Sequence, residues 1–131
     1  MIEPLIKRSK TGFDETVKDL ENLISENGFV HMLTKDIDKV IKDGFNLKEY
    51  SRYTIILACS PEFAKAALDV TKSAGLLFPC SFTVYEEDSK VFIGHISTMK
   101  MTVELGLAAY KDMRPVIEET AKAVNSIWEM L

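Results

Sequence analysis

The sequence predicts an α+β fold, a two-layer α/β sandwich whose mainly antiparallel sheet carries helices packed on one face. Three observations lead there. β-rich runs are interspersed with helical stripes instead of being segregated from them. Two of those runs flank the turn Glu87-Asp88-Ser89-Lys90 late in the chain, a hairpin signal and hence antiparallel pairing. Finally, 131 residues leave too few strand–helix units for a doubly wound sheet. A single domain over residues 1–131 is expected, large enough to bury a core without disulfides or metal.

Leu5 and Ile6 begin a first strand, edge-like because Pro4 cannot donate to a ladder. Thr11 is expected to open a helix whose apolar face is Phe13, Val17, Leu20 and Ile24, a helical spacing. Asn27-Gly28 ends it, since glycine enters the left-handed region at low cost. Phe29 to Thr34 reads as a strand. Asp36 is expected to cap a short helix carrying Ile37, Val40 and Ile41, closed by Gly44.

Tyr53 to Cys59 is continuously apolar and β-branched, which predicts a central strand buried on both faces. Ser60-Pro61 is a strong helix start, with serine as cap and proline where no donor is needed. Phe63, Ala67, Val70 and Ala74 form that helix's stripe, with Gly75 as its stop. Ser81 to Glu86 and Val91 to Ser97 make the hairpin. A last helix starts near Asp112, with Pro115 in its first turn and Val116, Ile117, Thr120, Val124, Ile127, Trp128 and Leu131 on one face.

Composition narrows the function. A net charge of −4 and a single small basic cluster, Lys7, Arg8 and Lys10, argue against nucleic-acid binding and against an anionic membrane. No apolar run is long enough for a signal peptide or a membrane span, so a cytoplasmic location is the default. Nucleotide-binding glycine loops, serine-hydrolase elbows and metal-spaced histidine pairs are all missing, and no residue is assigned a catalytic role.

One group of side chains carries chemistry: Cys59, Cys80 and His95, with Ser60 beside the first. Cys59 ends a strand just before a helix, where unpaired N–H groups favour a thiolate. If the hairpin closes on its turn, paired residue numbers sum to about 177. Phe82 then opposes His95, and Cys80 lies one diagonal step away on the same face. Such a group is suited to thiol redox, sulfur transfer or a soft-metal site, the metal, if any, held by Cys59, Cys80 and His95. Two cysteines and one histidine fall short of a closed zinc site. The competing reading is that buried cysteine is a small hydrophobe and His95 a hydrogen-bonded structural residue. His31 is given no special role.

Two local patterns resemble the domain-of-unknown-function 302 family. One is the apolar strand running into Ser60-Pro61, where the family carries a Gly-x-Pro turn. The other is Ala74-Gly75-Leu76-Leu77-Phe78-Pro79 followed by a strand and hairpin, similar to the family's Gly-Leu-x-x-Pro element. The likeness runs from about Leu5 to Leu131, with the Thr11 to Ile24 segment similar to the family's first helix. It implies a compact α/β sandwich, a homodimer, and no established activity or catalytic residues. Cys59, Cys80 and His95 depart from the family's usual glycine, aliphatic and aromatic residues. The expected function is a non-enzymatic small-ligand-binding or interaction domain acting as a homodimer, its ligand and cofactors undefined. The alternative is thiol or soft-metal chemistry at Cys59 and Cys80.

Overall fold

A computed structural model describes residues 2–131. The chain order is β1 (Leu5–Arg8), α1 (Phe13–Glu26), β2 (Val30–Asp36), α2 (Ile37–Phe45), β3 (Tyr53–Cys59), α3 (Pro61–Val70), a 3-10 segment (Lys72–Leu77), β4 (Cys80–Glu87), β5 (Lys90–His95), α4 (Thr98–Glu104) and α5 (Tyr110–Met130). The five strands form one antiparallel sheet in the order β1-β5-β4-β3-β2. The α+β sandwich expected from the sequence is the observed fold.

Alternation decides the layers. Along β3 the side chains of Thr54, Ile56 and Ala58 are buried while those between them are half-buried. Their partners across the ladder, Val84, Phe82 and Cys80, share the covered face. Phe13, Leu20 and Ile24 of α1, with Val124 and Ile127 of α5, close over this face to form the main core. Burying each such side chain is worth about 1.5–3 kcal/mol. A second core lies among the helices, where Ala67 and Ala74 meet Met99, Met113, Val116 and Ile117. Helix α5 belongs to both, its C-terminal half on the sheet and its N-terminal half against α3 and α4.

Several local expectations need correction. Strand β3 is interior to the sheet but fully buried on one face only, the other being half-buried; a continuously apolar run does not reveal this. Gly12, not Thr11, precedes α1, and the Thr11 hydroxyl instead joins those of Ser9 and Thr16. Asp36 ends β2 with its carboxylate accepting from Thr54 Oγ1 at 2.7 Å, so it does not cap α2 with its side chain. That helix stops at Asn46 in the left-handed region (φ 54°), not at Gly44. Helix α3 stops at Thr71, whose extended backbone starts the 3-10 segment before Gly75 is reached. Helix α5 begins at Tyr110, so Pro115 lies inside it, beyond the first turn.

Other signals hold. Ser60 Oγ accepts from the Phe63 N–H at 3.3 Å, with Pro61 opening α3. Asn27 ends α1, with Gly28 at φ 85°. The hairpin turns on Asp88 and Ser89, both at positive φ, which suits the twist of the paired strands. Its register is the one deduced from the turn, with Phe82 opposite His95.

The uncovered face is apolar as well. The register aligns Tyr53, Tyr85 and Phe92 in one row, with successive ring centroids 5.6 Å apart and near parallel. Ile6, Val30 and Leu33 are exposed on strands at the sheet's two edges.

Candidate functional site

His95 is the best-defined polar group of the candidate set. It ends β5 with only 7% of its surface accessible, stacked on Phe82 with ring centroids 4.3 Å apart and planes 17° from parallel. Its Nδ1 lies 2.9 Å from the Ser81 carbonyl oxygen. A carbonyl only accepts, so Nδ1 carries the hydrogen, and in the neutral ring Nε2 presents a bare lone pair. Burial favours that neutral ring, holding the pKa below the usual histidine value against the opposing pull of the Ser81 bond.

No described residue partners Nε2, and no unpartnered side-chain nitrogen or oxygen is fully enclosed among the described residues, so Nε2 retains accessible surface. The ring lines a hollow of about 280 Å³ between the β1–β5 edge, the start of α4 and the middle of α5. Leu5, Ala121 and Val124 supply apolar wall. Ser97 and Lys100 supply donors: Ser97 Oγ accepts from the Lys100 backbone N–H at 3.2 Å, which leaves its own hydrogen free. Glu3 and Asn125, both exposed, also border the space. A hollow near 300 Å³ with a few convergent polar groups has the character of a small-molecule site.

The cysteines are placed differently. Cys80 opposes Ala58 on the covered face and is 8% accessible, on the same face as His95 and one diagonal step from it, as the hairpin register implies. Burial pushes its thiol pKa up, and a hydrogen bond with Thr98 only partly offsets this. Cys59 pairs with Val30, and strand alternation turns it to the uncovered face. Both are free thiols. The crevice they border, with Phe63, Pro79 and Met99, holds only about 10 Å³, roughly one water. Ser60 is occupied as the cap of α3. Among the described residues no three His, Cys, Asp or Glu side chains are grouped to hold a metal ion. The structure thus separates His95 from Cys59, and their neighbourhood offers no closed ligand set.

Sequence reasoning missed Ser97, Lys100 and Asn125. Ser97-Thr98 is a legible cap for α4, yet its closeness to α5 depends on how the last two helices fold back.

Among solved structures, the crystal structure of an uncharacterised conserved DUF302 protein from Bacillus stearothermophilus superposes with a TM-score of 0.83. It is 18% identical, with 95% of this chain and 94% of that chain covered. At that identity the likeness establishes the fold. No curated protein matches the chain. The domain of unknown function DUF302 matches residues 5–131, nearly the whole sequence, and the chain belongs to that family.

Proposed function

We propose that this protein is a non-enzymatic small-ligand-binding domain whose ligand sits in the hollow beside His95. The observation that carries the reading is His95 itself, 7% accessible and with Nε2 unpartnered by any described residue, on the lining of about 280 Å³ of space. Native mass spectrometry of freshly purified protein tests this. A small adduct lost in His95→Phe and kept in Cys59→Ser and Cys80→Ser supports the hollow. An adduct that follows the cysteines supports thiol chemistry instead.

A second reading concerns assembly. The uncovered sheet face, with its aromatic row and exposed Ile6, Val30 and Leu33, suits a second copy of this chain. Five strands of four to eight residues give a footprint of roughly 500 Å², which side-chain relief raises towards the ~800 Å² per partner of a stable interface. Phe92→Lys would place a cation at one end of the aromatic row on this face. Sedimentation should show a homodimer dissociating at least a hundredfold more readily in the variant; an unchanged dimer would move the interface elsewhere.

No helix among the described residues is long and apolar enough to cross a membrane. Two free cysteines and a net charge of −4 fit a cytoplasmic protein that does not bind nucleic acid.

A further inference from the structure

We infer that the ligand is a small aliphatic 2-hydroxy monocarboxylic acid, its hydroxyl donating to His95 Nε2 and its carboxylate facing Lys100. The inference rests on the ligand site proposed above and names what that site selects.

The first constraint is at Nε2. With Nδ1–H committed to the Ser81 carbonyl, Nε2 can only accept while the ring is neutral. A carboxylate or carbonyl oxygen set against it would place two lone pairs face to face. The atom that meets it must carry a hydrogen, as a hydroxyl or an N–H does. Protonating the ring to receive an anion is opposed by its burial.

The second constraint is charge. Lys100 borders the same hollow and is exposed. Ser97 beside it has a free hydroxyl hydrogen. This combination favours a carboxylate. Glu3, also on the lining, works against a second negative charge, so a monoanion suits the hollow better than a phosphate ester. The third constraint is the wall of Leu5, Ala121 and Val124, which takes a short branched alkyl chain. A volume of about 280 Å³ holds on the order of nine non-hydrogen atoms at the packing of water.

The test uses the full chain labelled with ¹⁵N-histidine and follows the His95 Nε2 resonance. The probes are 2-hydroxy-4-methylpentanoate, its deoxy counterpart 4-methylpentanoate, and leucine. The hydroxy acid should shift Nε2 saturably, and removal of its hydroxyl should weaken binding about tenfold. Lys100→Gln, a substitution at an exposed position, should weaken the hydroxy acid several-fold, and His95→Phe should erase the preference between the two acids. Equal binding of the two acids overturns the hydroxyl contact, and tighter binding of leucine reassigns the donor to an ammonium. If all three fail while 3-methylbutan-1-ol shifts Nε2, the ligand class is wrong and the site stands. If no probe shifts Nε2, the site falls with it.

Discussion

Two recesses meet at Thr120, and they differ in every respect that matters for binding. On one side is the cysteine crevice, about 10 Å³ and walled by Phe63, Phe78 and Met99. On the other is the His95 hollow, about 280 Å³ with donors and an acceptor on its lining. Cys80, the enclosed thiol, lies where there is no room for a reactant. A residue of modest intrinsic reactivity has both space and a fixed tautomer. Reactivity is a property of a side chain, whereas a site also needs a vacancy, and the vacancy is set by how α4 and α5 return over the sheet.

The sharpest way to break the comparison is Phe82→Ala. The ring is fully buried and forms the plate under His95, so its loss should cost about 3–5 kcal/mol in urea unfolding and release the imidazole. A loss below about 1 kcal/mol would mean that the main core does not depend on this row.

A smaller effect is the acid response. Burial lowers the His95 pKa in the fold relative to the ordinary 6.5. The unfolded chain therefore takes up the proton first as pH falls. The stability contributed by the neutral ring is complete above about pH 6.5 and is lost as pH drops through the folded-state value. Urea midpoints at pH 7.5 and pH 5 should differ more for the parent than for His95→Phe. Equal differences would place the acid sensitivity elsewhere.

The smallest effect sharpens the comparison on the cysteine side. With its thiol pKa raised by burial, Cys80 should alkylate at least tenfold more slowly than half-buried Cys59 in the folded protein at pH 8. Equal rates would show that the crevice opens far wider than 10 Å³.

Much of the fold was legible because it rests on local rules. The Ser60-Pro61 helix start, the Asn27-Gly28 stop and the hairpin turn each depend on a few adjacent residues. The hairpin register even placed Phe82 against His95 by arithmetic alone. What could not be read were facts about which surface meets which. The apolar run Tyr53 to Cys59 looks the same whether one face or both are fully buried, and only one is. The lining of the hollow draws Leu5, His95 with Ser97, and Asn125 from three places in the chain, and no spacing rule connects them. Cys59 next to a helix start is suggestive by position, but strand parity sends it to the opposite face from Cys80.

The first strand is held by the last parts of the chain. Strand β1 pairs with β5, and Lys7 Nζ donates to the Trp128 carbonyl oxygen at 2.9 Å, across 121 positions of sequence. On a ribosome, the opening segment must wait, unpaired, for β5, and its Lys7 bond waits for the closing helix. The hollow takes Leu5 from that opening segment and Val124 from that closing helix, so it is assembled at the end of folding. Ligand binding then reports on a finished chain: a nascent or truncated product lacking α5 has all five strands of the sheet but nothing with which to close the recess.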